Sequence, residues 1–450
     1  VWLDPDRREA KCPVCAGTDA ADLLQVEQDG AAHEFVRCLA CRSVYPLNFQ
    51  ESGELGGYTI GKAENDMGLK HYVEIGAGID SLIAPVLSVV EHPSGSLLDV
   101  GCGFGFLPFF WDRYAEDTFA HGIELASYGH WGREILGAPI SHHLLAENDE
   151  ARKQTYDYVW SGEVIEHVPD PVQFLGDLGS VLKPDGVLML STPDADCINP
   201  GTPLADLAAA LSLGSHRFLM SEKALRKLVN DAGFGSIIAR NSGTTLIVWA
   251  SRTERHQPHN TAARVNQLTE RYLLQLANTE DQWLRGGALY RLFKLLVNAG
   301  RLTEASQIER QLSDVVAAAI GLPSEWSAVV HGIVKAGAIS PGNFIASAPA
   351  YLGPFLHYRG MLKLNLGFDH LGAVADFDLA LRINAFAAEH HIATAQEASR
   401  LIASCIFHRQ LALRHANQDA AFFREFAKAY DPEGAEHFEP RFESEAFWTN

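Results

Sequence analysis

Short apolar runs separated by amphipathic stretches dominate the middle of the chain. Six runs have the length and composition of strands: Leu97–Val100, His121–Glu124, Tyr156–Trp160, Val187–Ser191, Ser236–Ala239 and Thr245–Ala250. Between most of them apolar positions recur at helical spacing. Strands alternating with helices predict a parallel α/β sheet. The pattern changes at Ser251–Asn260 (SRTERHQPHN), which reads as a polar linker. From Thr261 onward no strand run stands out, and Leu289, Leu292, Phe293, Leu296 and Val297 fall at helical spacing. Residues 1–50 hold four cysteines and little else that looks able to form a core. The expected organisation is therefore 1–50, 51–253 and an α-helical 261–450. The aromatic run Phe104, Phe106, Phe109, Phe110 and Trp111 is expected under the sheet, with Cys102 as a small buried filler.

Composition narrows the partners. The 450 residues are 47% apolar and 20% charged, which is globular rather than disordered. Lys plus Arg is 36 against 56 for Asp plus Glu, giving a net charge of −20. Such a surface repels phosphate backbones, so nucleic acid is disfavoured as a partner. The longest apolar run, Val315–Ile320, is far short of a membrane span. The charged first eleven residues show no signal peptide. A cytoplasmic location is expected.

Seven cysteines are present, and four of them are paired in sequence. Cys12-Pro-Val-Cys15 and Cys38-Leu-Ala-Cys41 lie 22 residues apart. Each pair can present two thiolates to one ion, and four thiolates complete the tetrahedral shell of a structural zinc ion. This reads as a zinc ribbon in a reducing compartment, not as a disulfide framework.

Leu97-Leu-Asp-Val-Gly-Cys-Gly-Phe-Gly105 runs a strand into a glycine-rich turn. Gly101, Gly103 and Gly105 let the main chain turn sharply and approach a ligand closely. The next strand ends at Glu124, 25 residues after Asp99. An acid there can accept both ribose hydroxyls of an adenosine-containing cofactor.

Glu163, Glu166 and His167 follow the fourth of these strands. At spacing i, i+3 and i+4 they are expected on one face of a short helix, which Pro169 ends. Asp170 is expected to cap the next helix, with Pro171 at its first position and Gln173 completing a capping box. His167 reads as a general base oriented by Glu166, since an imidazole titrates near working pH.

In these segments the sequence resembles class I S-adenosylmethionine-dependent methyltransferases. LLDVGCGFG is similar to their first motif, YDYVWSGEVIEHVPDP to their fourth-strand segment and LKPDGVLMLSTP to the turn and fifth strand. HRFLMSEKALRKLVNDAGF resembles the helix before the final hairpin in the subgroup with ubiquinone-pathway O-methyltransferases. The resemblance covers about residues 71–251. It implies a Rossmann-like seven-stranded sheet. It also implies S-adenosylmethionine held by Asp99, Gly101, Gly103, Gly105 and Glu124, with Ser161 and Gly162 lining it. Tyr72 is placed either over the cofactor or in packing. The segment His142–Glu147 departs from the family pattern, and no residue is assigned to the adenine.

The resemblance also sharpens the acidic cluster. Zinc-ribbon sugar methyltransferases share the paired cysteines and suggest His167 as the base. Metal-dependent ubiquinone-pathway enzymes and small-RNA 3′-end 2′-O-methyltransferases carry Glu-x-x-Glu-His plus a distant His. Here that pattern would make Glu163, Glu166, His167 and His216 a second divalent site for Mg²⁺, Mn²⁺ or Zn²⁺. Arg217 beside it could meet an anionic group or simply face solvent.

The expected function is O-methylation of a sugar hydroxyl in a glycan, nucleotide-sugar or glycosylated metabolite. Sugar C-methylation and phenolic O-methylation are the nearest rivals. A non-catalytic scaffold whose helical tail binds protein or mediates oligomerisation is the opposing class. In that tail Gly300–Leu312 resembles Phe368–Leu381, and Ala305 and Ala373 are 68 residues apart, twice the tetratricopeptide period. A repeat-like solenoid and an irregular helical bundle are both open.

Overall fold

Leu97 and Leu98 have no exposed surface, and the strand that carries them is an interior strand of the molecule's larger sheet. In the computed structural model, residues 1–28, 30–49, 70, 73–75, 83–89, 94–114, 116–253, 262–320, 344, 348–367, 369–390 and 395–416 are described. Tyr72 lies outside them. The chain divides into two compact units, Val1–Leu276 and Ala277–Asn450.

The first unit holds two sheets. The smaller is antiparallel, in the order β1 (Arg7–Glu9), β2 (Asp19–Gln28), β3 (Ala31–Cys38), β4 (Val44–Pro46). Residues 1–50 thus carry more structure than the cysteine spacing suggests. Leu24, Phe35, Val36, Val44 and Tyr45 are buried there. They do not alternate along the chain, since Phe35 and Val36 are adjacent in β3 and Val44 and Tyr45 in β4, so no period of two marks them.

The larger sheet contains β5 (Ser94–Val100), β6 (Glu116–Ile123), β7 (Ile140–Ser141), β8 (Tyr156–Gly162), β9 (Leu182–Pro193), β10 (Ser236–Ser242) and β11 (Thr245–Ser251). Their order is β10-β11-β9-β8-β5-β6-β7. The pairings through β6, β7, β5, β8 and β9 are parallel, and β11 runs antiparallel to both its neighbours. All six expected strands are present, several of them longer than the apolar runs alone. The seventh, β7, has only two residues after Pro139, too few for a periodicity to register.

From β5 the chain proceeds outward through β6 to β7, then returns to the other side of β5 as β8. The strand order reverses there, so the C-terminal ends of β5 and β8 flank a topological switch point, where open α/β sheets bind ligands. The aromatic run after β5 is buried as expected, with Trp111 Nε1 donating to Gly95 O at 2.9 Å. Burying each such ring contributes about 1.5–3 kcal/mol. Cys102 is buried, and a Cβ on Gly122 would meet its Sγ at 2.7 Å, so it fills the space a glycine leaves.

The two sheets are stitched together within this unit. Arg37 donates to Ala195 O at 3.1 Å and Ile198 O at 2.7 Å. Ser221 Oγ donates to Cys41 O at 2.6 Å, and Val44 and Leu219 exchange main-chain hydrogen bonds. The helix Ala262–Leu276 belongs here as well, with the Tyr272 ring 5.4 Å from Phe110.

The second unit is helical over its described residues, with helices Gln282–Asn298, Leu302–Ile320, Leu352–Leu362, His370–Glu389 and Ala395–His415. Ala305, Ala373, Phe377 and Ala380 are fully buried. The stretch that would hold an intermediate repeat, 321–343, lies outside the described residues. Buried Arg359 pairs with Asp376 at 2.5 Å, and Arg409 pairs with Asp378.

Candidate active site

Two loops meet at the switch point. The first is the glycine turn after β5. Gly101 and Gly105 both have φ +80°, where an L side chain is strained. Space forbids one too: a Cβ on Gly101 would meet Val164 Cγ2 at 2.2 Å, and on Gly105 Ile140 Cδ1 at 2.5 Å. Gly103, φ +55°, donates its N–H to Glu124 Oε2 at 2.8 Å, while Ala126 N–H donates to Oε1 at 2.8 Å. Glu124 therefore braces the turn. Each of its oxygens keeps acceptor capacity, since a carboxylate offers about four lone-pair sites. Desolvation raises its pKa, opposed by these N–H donors. Asp99 is buried and neither of its oxygens has a partner among the described residues. Desolvation, then the charge of Glu124, pushes its carboxyl well up. Orphaned acceptors beside a tight backbone turn fit an absent ligand that carries donors.

The second loop follows β8. Ser161 is buried and its hydroxyl donates to Val100 O at 2.9 Å, so it fastens β8 to β5. Gly162 is the buried last residue of β8. Residues 163–167 form a turn, not the expected short helix. Glu163 has φ +55°, which helical geometry does not allow, and its N–H donates to Ser191 O at 2.9 Å instead. The next helix, Pro171–Ser180, is capped by Asp170, which accepts from Val172 and Gln173 N–H, with Pro171 at its first position; the Gln173 side chain donates forward to Asp177 Oδ1 at 2.9 Å instead of closing the expected capping box.

This turn brings Glu166 and His167 to His216. Glu166 is fully buried; its Oε2 accepts from Thr192 Oγ1 at 3.0 Å and its Oε1 has no hydrogen-bond partner among the described residues. His167 Nε2 and His216 Nε2 each lie 3.9 Å from Glu166 Oε1. Both rings are held from behind. His167 Nδ1–H donates to Ser215 O at 3.0 Å, and His216 Nδ1–H to Ala210 O at 2.6 Å. Main-chain oxygens only accept, so both Nε2 atoms carry lone pairs when neutral. Burial lowers both imidazole pKa values, His216 to about 4 with His167 contributing. Burial, then Glu163, raises Glu166. Three acceptors thus face one gap too wide for hydrogen bonds among themselves. Their ligand atoms lie within 4.8 Å of one another. Two nitrogens and a carboxylate oxygen are the donor set of a divalent cation with open positions, so the residues fit such an ion.

Glu163 is not part of that group. Its Oε1 accepts from Ser191 Oγ at 2.9 Å, and its side chain keeps an exposed face although crowding by protein raises its carboxyl pKa. Sequence reasoning missed the supports, Ser191 and Thr192, which come from β9 and have no spacing signal. It undervalued Arg217. That residue's N–H donates to Glu166 O at 2.9 Å and its Nε to His167 O at 3.0 Å, while its guanidinium lies 4.7 Å from the Phe49 ring. Arg217 and Pro169 line a cleft of about 690 Å³, together with Arg8, Lys11, Tyr45 and Phe218.

The four sulfurs Cys12, Cys15, Cys38 and Cys41 converge as the spacing implies. Cys12 and Cys41 are 3.6 Å apart, as are Cys15 and Cys38. Zinc–sulfur bonds of about 2.3 Å at tetrahedral angles separate sulfurs by about 3.8 Å, so the cluster fits zinc.

A glycine turn braced by an acid thus stands at the switch point of this sheet, where open α/β sheets take their ligands. Residues 71–237 match a family model described as a methyltransferase domain. A ubiquinone biosynthesis O-methyltransferase from Xanthomonas campestris is 32% identical over 111 residues, 24% of this chain and 46% of that protein. One from Parvibaculum lavamentivorans is 36% identical over 100 residues, 21% of this chain and 39% of that protein. Phosphoethanolamine N-methyltransferase 1 from Triticum aestivum is 27% identical over 150 residues, 32% of this chain and 29% of that protein. The chain thus spans less than half the length of these relatives. Among solved structures, an O-methyltransferase family protein from Burkholderia thailandensis aligns with TM-score 0.35 and 14% identity, over 43% of this chain and 61% of that one. Residues 71–237, all within the first unit, are thus similar to a methyltransferase domain, and the seven-stranded sheet has the corresponding fold.

Proposed function

We propose that this chain methylates a hydroxyl oxygen of a small acceptor, a sugar hydroxyl in a glycan, nucleotide-sugar or glycosylated metabolite, at the ends of β5 and β8. One observation carries this reading: Glu166 Oε1, His167 Nε2 and His216 Nε2 converge, without donors of their own, beside the loop that would hold the methyl donor. Asp99, Gly101, Gly103, Gly105 and Glu124 would hold S-adenosylmethionine, which supplies an electrophilic methyl group. A divalent ion held by Glu166, His167 and His216 would lower the pKa of an acceptor hydroxyl.

The remaining work belongs to the protein. Ser215 and Ala210 fix both imidazoles in the tautomer that points a lone pair inward. Low imidazole pKa values keep those lone pairs unprotonated at neutral pH. Without that ion the Nε2 lone pair of His167, the more exposed of the two rings, is free to take the acceptor's proton instead. Arg217 holds His167 from its main chain and also forms part of the wall of the cleft beside Pro169 and Phe218. Holding the acceptor in line is itself worth several powers of ten in rate.

The test is to incubate the protein with labelled methyl donor and fractionated cell extract, then identify the labelled product by mass spectrometry. Label in a sugar methyl ether supports the reading; a new carbon–methyl bond turns it to C-methylation. A phenolic acceptor is the second reading, favoured by the names of the ubiquinone-pathway relatives, and label in a phenol ether would establish it. Absence of cofactor binding in calorimetry would favour a non-catalytic scaffold.

A further inference from the structure

The stretch Ser215–Ser221, between β9 and β10, holds the triad at one end and the second cysteine pair at the other. At the triad end, His216 is itself a member. Ser215 O accepts from His167 Nδ1–H at 3.0 Å. Arg217 N–H donates to Glu166 O at 2.9 Å, and Arg217 Nε to His167 O at 3.0 Å. Each triad residue thus belongs to this stretch or is bonded to it.

The other end is fastened to the loop Cys38–Cys41 and to β4. Leu219 N–H donates to Val44 O at 2.7 Å, and Val44 N–H to Leu219 O at 2.9 Å. Ser221 Oγ donates to Cys41 O at 2.6 Å and accepts from Ala224 N–H at 3.1 Å, capping the helix Glu222–Asp231. Lys223 Nζ donates to Ala40 O at 2.8 Å. Residues 218–221 are all buried, and their side chains alternate as in a strand. Phe218 and Met220 join the apolar cluster that contains Cys12, Cys38, Cys41 and Tyr45, while Leu219 joins that of Leu24, Phe35 and Val44. Met220 O accepts from Ala195 N–H at 3.0 Å, just past β9. The stretch is a strap between the two sheets. Close packing passes a displacement along such a strap rather than absorbing it. A helix cap needs only the acceptor half of the Ser221 hydroxyl; the donor half goes to the cysteine loop.

We propose that Ser221 is a positioning residue of the triad: through the strap it ties the zinc-binding cysteines to His216, so that zinc in the ribbon and a divalent ion on Glu166, His167 and His216 favour each other's binding. This rests on the reading of the triad as a divalent-ion site. An ordered cysteine loop holds the strap, and the strap holds all three ligands. By linkage the effect is reciprocal, each ion raising the affinity of the other by the same factor.

The test uses the full chain carrying one zinc ion, with Mn²⁺ as the probe, since soft thiolates do not select Mn²⁺. Mn²⁺ affinity is read by paramagnetic resonance, and zinc affinity by competition with a zinc-selective fluorescent chelator. In the wild-type protein saturating Mn²⁺ should raise zinc affinity by about fivefold or more. Ser221→Gly keeps a good helix cap and loses the bond to Cys41. With its zinc retained, this variant should bind Mn²⁺ about fivefold or more weakly, and Mn²⁺ should no longer tighten zinc. Glu166→Gln should abolish the effect of Mn²⁺ on zinc, because the ion acts from the triad. Zinc affinity indifferent to Mn²⁺ in the wild-type protein, or coupling that survives in Ser221→Gly or in Glu166→Gln, overturns the inference alone. Should Ser221→Gly fail to fold by circular dichroism, the wild-type coupling and its loss in Glu166→Gln decide. A wild-type protein that binds no Mn²⁺ overturns the divalent-ion reading with it.

Discussion

Among its described residues the first unit contains two groups of side chains with the chemistry to hold a metal ion, and they are built on opposite plans. Cys12, Cys15, Cys38 and Cys41 form a complete four-sulfur shell in which three of the four residues are buried. Nothing is left open for a substrate, and the loops that carry them join the strands of a small sheet. Glu166, His167 and His216 supply only three ligands, and two of them keep some exposure. Their backs are fastened to Thr192, Ser215 and Ala210, but their fronts face a gap. A closed shell suits folding and an open one suits chemistry. The difference teaches that the ligand count, not the presence of a cluster, separates the two roles.

Breaking the closed shell should give the largest effect. The double change Cys12→Ser, Cys38→Ser should remove about one zinc ion per chain and unfold β1–β4, because a structural zinc ion supplies folding energy directly. Zinc content by mass spectrometry and a thermal melt check this. Full zinc occupancy in the double variant would end the assignment.

Breaking the open shell should leave the fold and remove the activity. Glu166→Gln or His167→Ala should slow turnover by about 10²–10⁴, the usual worth of a positioned acid–base or ligand group. The thermal melt should move little by comparison. Chelation sharpens the contrast. EDTA should inhibit, and Mg²⁺ or Mn²⁺ should restore activity while the ribbon keeps its zinc. Activity that resists chelation would leave His167 as a base without metal. A smaller loss belongs to the cofactor side: Glu124→Ala should weaken S-adenosylmethionine binding by about 1.5–3 kcal/mol, measured calorimetrically, because a charged hydrogen-bond acceptor is lost.

The two groups also differ in how legible they are. The cysteine pairs declare themselves, because a knuckle fixes its ligands two residues apart and the second pair repeats it. The glycine turn is equally local: strand, turn and acid lie within one βαβ stretch. The open group is half hidden. Glu166 and His167 are adjacent, but His216 joins them through the long excursion from β9 to β10, and only a family resemblance singles it out. The sheet is read from its apolar runs except for β7, whose two residues are held by pairing with β6. The helical face through Leu289 and Phe293 is real, yet the first helix of that region, Ala262–Leu276, groups with the first unit. Tertiary contacts decide that boundary, and no local composition records them.

Glu163 is where spacing and geometry part, and it gives the finest test of the comparison. The i, i+3, i+4 pattern puts Glu163 with Glu166 and His167 on one helical face. The backbone refuses that helix: Glu163 takes φ +55° and turns its carboxylate to the Ser191 hydroxyl. Its remaining influence on the triad is electrostatic, since its charge helps to raise the Glu166 pKa. Glu163→Ala should therefore reduce turnover by less than about tenfold, well below the loss expected for a ligand or base. Divalent-ion affinity should change little, because Glu166, His167 and His216 remain. The measurement is a metal titration of activity for Glu163→Ala beside Glu166→Gln. A Glu163→Ala loss as severe as that of Glu166→Gln, with weakened ion affinity, would make Glu163 a fourth ligand and erase the contrast between an open and a closed shell.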